Sequence, residues 1–260
     1  RIPDESEPVD GTQVRTILSK EWGRNVEAVL LGFDETPHSS RLVYQTHYGR
    51  CVDGTPVRVQ IVNPGFQQLV ERDGPLLNLL RPAFVSIGRN DVLIERVIAD
   101  FMRFLPQYLD RQADMDGMLS LAEDAQIFED LAAPRILENL STPLVRTVER
   151  LPGWSLDEML AVSEDGTSYA HESPKNLDLG LTDVACRTSF VWLRQALFGR
   201  HYPVEISPRD ICILPTHKIV FQDGLFTSLP SVAQDHVWQY LQATAAQDPD
   251  TAFNYLMQEM

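Results

Sequence analysis

No stretch of about 18 consecutive apolar residues occurs in this 260-residue sequence, so nothing in it has the length and character of a membrane-spanning helix. Contact with a membrane would therefore be peripheral. Cysteine is scarce: Cys51, Cys186 and Cys212 are odd in number and far apart, offering neither a disulfide framework nor a C-x-x-C metal site. That usage points to a reducing compartment such as the cytoplasm. Basic residues are also few, 22 Lys and Arg against 37 Asp and Glu, and a net charge of −15 repels nucleic-acid backbones and argues against nucleic acid as a partner. The common catalytic signatures are missing too: there is no G-x-S-x-G elbow, no Walker glycine-lysine loop and no H-E-x-x-H helix. The six histidines are scattered, none at metal-ligand spacing from another. The sequence opens at Arg1-Ile2-Pro3 without a methionine or a signal-peptide pattern, as expected of a fragment excised from a longer chain.

What is present is a hydrophobic fraction of 43 %, enough for one large core or for two lobes around a cleft. Residues 1–12 read as an acidic, Pro/Gly-punctuated arm. Gln13 to Trp22 and Val26 to Leu31 carry helical spacing, and Arg41 to Tyr48 and Pro56 to Val62 read as strands joined by a turn at Asp53-Gly54. Helices are expected over Asn90 to Leu109, where Leu93, Val97, Phe101 and Leu105 fall four apart, and over Gly117 to Leu131. Leu140 to Leu151, with Leu144, Arg146 and Val148 alternating, reads as a strand closed by Pro152-Gly153. Ser155 with Glu158 three residues on forms a capping-box pattern. Residues 163–176 read as a polar loop, Leu177 to Phe198 as a long helix, Ile211 to Leu214 and Lys218 to Phe221 as short strands, and Ser231 to Ala245 and Thr251 to Met260 as closing helices.

The segment Gly54 to Asp73, GTPVRVQIVNPGFQQLVERD, resembles the strand-to-helix segment of the UbiB/AarF family of atypical, protein-kinase-like proteins linked to quinone biosynthesis. In that family a lysine strand runs into a Pro-Gly turn and an E-R-D helix. Upstream, GRNVEAVLLGFDETP is similar to its G-R-x-x-E-x-x-F-x-x-F-D-x-x-P run, followed by Gln45 and His47 at its Q-V-H. Downstream, Leu140-Ser141-Thr142 through Glu149 and Gly153 resembles its L-S-T…M-E…G strand and hinge. The resemblance implies an α+β, two-lobed protein-kinase-like fold with a small, sheet-containing N-lobe over residues 13–153 and a mostly helical C-lobe over 154–260.

At the positions that carry the family's chemistry this chain departs from it. Gln60 stands where the resemblance places the phosphate-binding lysine, and Ser39, Ser40, Arg41 and Leu42 fall on its alanine-rich nucleotide loop. Arg41 has two readings, a replacement cation that reaches a phosphate bidentately or a residue on a solvated strand edge. Glu123 is the candidate for the helix glutamate that pairs with the lysine, against the alternative of a solvated acidic helix face, and Glu149 falls on the hinge. Residues 203–210 align with the loop H-A-D-P-H-P-G-N, so Glu205 takes the place of the catalytic aspartate and Asp210 that of the metal-binding asparagine. Thirteen residues later Asp223 takes the place of the metal aspartate of Asp-Phe-Gly. Three carboxylates there would suit a hard divalent ion; the other reading is that they are loop residues left after an active site decayed.

These substitutions lead to the expectation of a UbiB/AarF-like pseudokinase, a binding or regulatory module linked by resemblance to quinone or lipid metabolism. It would act on a protein partner or a lipid or quinone-pathway component, with no cofactor required. The competing expectation is a slow Mg-dependent ATPase or atypical kinase using Mg and ATP through Arg41, Glu205, Asp210 and Asp223.

Overall fold

The computed structural model describes residues 6–66, 68, 70, 72, 115–165, 179–204 and 206–259. The chain divides into two compact units, the first formed by residues 1–115 with 135–150 and the second by 116–134 with 151–260.

In the first unit, helix α1 (Gly11–Trp22) starts where the Asp10 carboxylate accepts the Thr12 N–H at 3.0 Å. It ends at Gly23, whose φ of 65° is the left-handed conformation that a helix terminus assigns to glycine. Strands β1 (Leu30–Phe33), β2 (Ser39–Ser40), β3 (Tyr44–Cys51), β4 (Pro56–Val62) and β6 (Val145–Glu149) form a five-stranded antiparallel sheet in the order β1-β3-β4-β6, with β2 on β3. The hairpin from β3 to β4 turns at Asp53-Gly54 as its sequence indicates. The Asp53 carboxylate accepts the Thr55 N–H at 2.9 Å, and Gly54 takes φ +88°.

Alternation along β4 sets the two faces of this sheet. Val57, Val59 and Ile61 point to one side, where with Val14, Leu18, Val26, Leu30, Leu140 and Val145 they form the core of the unit. Arg58, Gln60 and Val62 take the other side by the same period of two. After β4, Asn63 accepts the Gly65 N–H at 2.9 Å and Pro64 occupies the first helical position, the usual chemistry of a helix start. The helical reading of Val26 to Leu31 is corrected: Val26–Ala28 is a single 3-10 turn and Leu30 enters strand β1, pairing with Cys51 of β3. Leu30 is buried and Leu31 is exposed, so a period of two serves this short stretch better than a helical one.

In the second unit, helix α2 (Met115–Asp124) stops short of the helix expected to reach Leu131, because Leu131 joins strand β5 (Leu131–Ala132), which pairs in parallel with strand β10 (Ile219–Phe221). Strand β7 (Trp154–Ser155) leads into helix α3 (Leu156–Asp165). The capping box is formed: Ser155 N and Oγ donate to Glu158 and the Glu158 N–H returns to Ser155 Oγ at 3.2 Å. Helix α4 (Leu181–Phe198) buries Val184, Thr188, Val191 and Gln195, four positions on one face. Strands β8 (Tyr202–Val204) and β11 (Leu225–Thr227) form a two-stranded ribbon. Strands β9 (Ile211–Ile213) and β10 (Ile219–Phe221) are buried throughout and carry a four-stranded sheet in the order β5-β10-β9-β7. Helices α5 (Ser231–Ala245) and α6 (Pro249–Glu259) close the chain. The helix expected over 90–109 and most of the loop over 163–176 lie outside the described residues; 163–165 end helix α3. No helix among the described residues is long and apolar enough to cross a membrane.

Gly153 is required by space. A Cβ there would lie 2.5 Å from Cys212 Sγ and 2.7 Å from the Ile213 carbonyl oxygen, which are held in the buried strand β9. Gly153→Ala is expected to destabilise the second unit by about 1–3 kcal/mol, as overpacking does, and to lower its melting temperature by several degrees in a circular-dichroism melt. An unchanged melting temperature would show that the close approach is not made.

Candidate functional site

The polar face of the five-stranded sheet is built by register. Thr46 of β3, Gln60 of β4 and Arg146 of β6 are directly opposite one another, so their side chains share a row on one face. Gln60 is 1 % exposed and Arg146 is 1 % exposed. Arg146 donates from Nε to Gln60 Oε1 at 2.8 Å and from Nη2 to the same oxygen, while Gln60 Nε2 points at Thr46 Oγ1, 3.4 Å away. Gln60, where the resemblance leads one to expect a lysine, carries no charge of its own, and a guanidinium lies within hydrogen-bond distance of the end of its side chain.

More arginines line the same face. Arg58, buried, stands in the next row between Tyr48 and Val148. Arg150 lies over the Tyr48 ring, 3.8 Å from its centroid. At the other end Arg41 is 9 % exposed and donates from Nη1 to the Tyr44 hydroxyl at 2.9 Å, so it is not on a solvated strand edge. Ser39 and Ser40 pair with Thr46 and Gln45 of β3, and Ser6 of the arm donates its hydroxyl to the Arg41 carbonyl at 2.7 Å. The stretch aligned with a flexible nucleotide loop is therefore tied on both sides. Gln45 accepts the Val9 N–H at 2.8 Å and meets the ring of His47, whose Nδ1 lies 2.8 Å from the Asp34 carbonyl. Burial holds the His47 imidazole below its ordinary pKa despite that carbonyl. Glu149 ends β6, and its carboxylate lies 3.3 Å from Arg135 Nε.

Arg146 was not singled out by its sequence context, although one signal was there. A charged residue alternating with Leu144 and Val148 on one face of a strand is unusual for a buried position. What the strand pattern could not supply was the partner, 86 residues away in the chain.

The candidate metal carboxylates belong to the second unit. Asp210 and Asp223, 2 % and 1 % exposed, sit at one end of the β9–β10 hairpin, where the Gln222 N–H donates to the Asp210 carbonyl at 2.8 Å. Asp210 Oδ2 accepts from Ser207 N at 2.8 Å and Ser207 Oγ at 2.6 Å, capping the turn Pro208–Asp210. Asp223 Oδ1 accepts the Gly224 N–H at 3.0 Å. Magnesium usually takes one or two carboxylates from a protein when phosphates supply further oxygens, so two aspartates at one end of a hairpin are of the right kind. Among the described residues no group of three or more His, Cys, Asp or Glu forms a metal cluster. Glu205 lies outside the described residues. Glu123, at the end of α2, is largely exposed and sits 3.5 Å from Arg200 Nη1 in a surface ion pair of its own unit.

Comparison with known proteins gives these arrangements a kinship. The ABC1 atypical kinase-like domain matches residues 1–256. A protein named probable protein kinase UbiB from Xylella fastidiosa (strain 9a5c) is 24 % identical over 185 residues, covering 70 % of this chain and 34 % of that one. Another of that name from Pseudomonas putida (strain GB-1) is 22 % identical over 249 residues, covering 95 % and 45 %. An uncharacterized protein of Synechocystis sp. is 22 % identical, covering 99 % of this chain and 44 % of its own length. The chain spans less than half the length of these curated relatives. Among solved structures, that of Rv3197 from Mycobacterium tuberculosis in complex with erythromycin superposes with a TM-score of 0.66 at 15 % identity, over 96 % of this chain and 60 % of that one. The chain belongs to the ABC1 atypical kinase-like family, the UbiB kindred, and its sheet-bearing and helix-rich units form an α+β fold of the kinase-like kind.

Proposed function

We propose that this domain is a catalytically impaired kinase-like module that binds without transferring phosphate. The observation that supports the reading is Gln60: where the resemblance expects the strand lysine, an uncharged side chain is buried, and its carboxamide oxygen accepts from the guanidinium of Arg146. In a protein kinase that lysine works as a unit with a helix glutamate, an aspartate base and two metal ions. Here the aspartate position holds Glu205, one methylene longer, and Glu123 is paired with Arg200 on the surface. A reacting group displaced by about 1 Å can lose on the order of a hundredfold in rate, and losses in such a unit do not repair one at a time. Relatives named UbiB connect the module to quinone or lipid metabolism by kinship, with a protein or a lipid-pathway component as partner and peripheral membrane contact open to it.

A second reading, a slow Mg-dependent ATPase, is favoured by the buried aspartates Asp210 and Asp223 at one end of the β9–β10 hairpin. They are the residues that would hold magnesium, whose chemistry when bound is to neutralise phosphate charge. The two readings separate on turnover. The purified chain with Mg and ATP is expected to show no hydrolysis or phosphoryl transfer above background in a radiolabel assay. Mg-dependent hydrolysis above background, lost on Asp223→Ala, would establish the ATPase instead.

Gln60→Lys is expected to gain no turnover and to lose stability. It replaces an acceptor of the Arg146 guanidinium by a second cation, removing a charge-assisted hydrogen bond of about 1.5–3 kcal/mol. A urea melt of the first unit should show the loss; a variant as stable as the parent and turning over ATP would overturn both expectations.

A further inference from the structure

We infer that Gln45 and His47 form a proton-sensitive latch, which holds the arm of residues 6–9 on strand β3 while the His47 ring is neutral and lets it go when the ring takes a second proton. The arm lies lightly on the sheet. Ser6 donates its hydroxyl to the Arg41 carbonyl at 2.7 Å and its N–H to the Ser40 carbonyl at 3.3 Å, while Glu7 and Pro8 are exposed. Val9 is half-buried against the core of the first unit. Buried Gln45 ties both of its backbone polar groups: the Val9 N–H donates to Gln45 Oε1 at 2.8 Å, and Gln45 Nε2 donates to the Val9 carbonyl at 3.4 Å. A segment with so little buried surface opens at a lower free energy than the strands beneath it.

The polarity of the latch is set by backbone groups at its two ends. Asp34 supplies a carbonyl oxygen 2.8 Å from His47 Nδ1, so Nδ1 carries a proton and donates. Val9 supplies an N–H, so the Gln45 atom facing it is the oxygen, and the amide nitrogen is turned to His47 Nε2, 2.8 Å away. Every donor then has an acceptor only if Nε2 keeps its lone pair, as in the neutral ring. A second proton sets two donors against each other at Nε2. Turning the Gln45 amide over gives His47 an acceptor and moves the conflict to the Val9 N–H. The Val9 junction gives way, because a charged donor forms the stronger hydrogen bond and an N–H on an exposed arm can reach water instead. Burial favours the closed state, holding the His47 imidazole below its ordinary pKa against the opposing pull of the Asp34 carbonyl and carboxylate. The other charged groups on the surrounding elements are Glu7 and Asp10 beside Val9, and Arg15 of α1. Arg15 lies over the Phe33 ring that stacks on His47 and is paired with Glu27 and Glu35. Strand β4 opposes His47 with Val59. Since the closed state has the lower pKa, the latch is whole above the ordinary histidine value of 6.5 and is lost as pH falls through the closed-state value.

The test follows the full chain by NMR between about pH 8 and pH 5, reading hydrogen-exchange protection of the Val9 amide and the titration of the His47 ring, with the Val59 amide as a reference in the sheet. Corrected for the intrinsic pH dependence of exchange, Val9 protection should be level at high pH. Below the ordinary histidine value of 6.5 it should fall by up to about tenfold per pH unit, the slope of one linked proton, while Val59 stays protected. His47→Phe keeps a ring against Phe33 and cannot titrate, so its Val9 protection should not change with pH. Gln45→Leu cuts the latch: Val9 should exchange freely at every pH, and the His47 pKa should rise toward its ordinary value. This second variant carries the test if His47→Phe does not fold. The inference is overturned if Val9 in the parent is as protected at pH 5 as at pH 8, or if a folded His47→Phe loses protection as the parent does, which would assign the effect to Asp34, Glu7 or Asp10. An unchanged His47 pKa in folded Gln45→Leu would overturn it as well. None of these readings depends on nucleotide or turnover, so the latch and the non-transferring reading stand or fall separately.

Discussion

The alternation of strand β4 is the constraint on which the first unit rests. Val57, Val59 and Ile61 must face α1 and the Val26 turn, because each buried aliphatic side chain of this size contributes about 1.5–3 kcal/mol and they are 0 %, 0 % and 1 % exposed. With that face decided, Arg58, Gln60 and Val62 have only the other face to occupy. A slip of one residue would exchange the two sets, placing Gln60 and Arg58 in the core and three aliphatic residues on the polar side. Pairing with β3 and β6 then carries the same decision outward, so that Thr46 and Arg146 join Gln60 in one row.

That row changes how the departures from the family pattern are to be understood. Where the resemblance expects a lysine the chain has Gln60, and the buried guanidinium of Arg146 lies within a hydrogen bond of it, with Arg58 buried in the adjoining row. Glutamine at position 60 is intelligible in this setting. A buried guanidinium needs acceptors, and a carboxamide oxygen is one that adds no opposing charge.

The second unit keeps its acids in a different economy of contacts. Asp210 is used by its own turn, accepting from Ser207 N and Oγ, and the backbone bond from Gln222 brings Asp223 next to it. The hairpin that carries them is buried by Ile211, Ile213, Ile219 and Phe221, so the carboxylates are placed by packing whether or not they ever meet a metal. Glu123 obeys the weaker rule of surface ion pairs, which follow local geometry and salt.

Several features were legible in the amino-acid sequence because their causes are local. The alternation of Pro56 to Val62, the Asp53-Gly54 turn, the Ser155–Glu158 capping box and the helix ending at Trp22 each depend on residues within a few positions of one another. The order of motifs likewise pointed to the kinase-like family, since framework residues that pack keep their order and spacing. Other features were decided only by the tertiary structure. Leu30 to Phe33 is a strand because β3 offers an edge that satisfies its backbone, and α2 ends at Asp124 because Leu131 is drawn into a parallel pairing with β10. Arg146 meets Gln60 across 86 residues of chain, Arg41 is buried beside Tyr44 and Glu123 is exposed. Register between distant strands decides which side chains share a face, and no short-range pattern contains that register, so the row of Thr46, Gln60 and Arg146 exists only in the folded sheet.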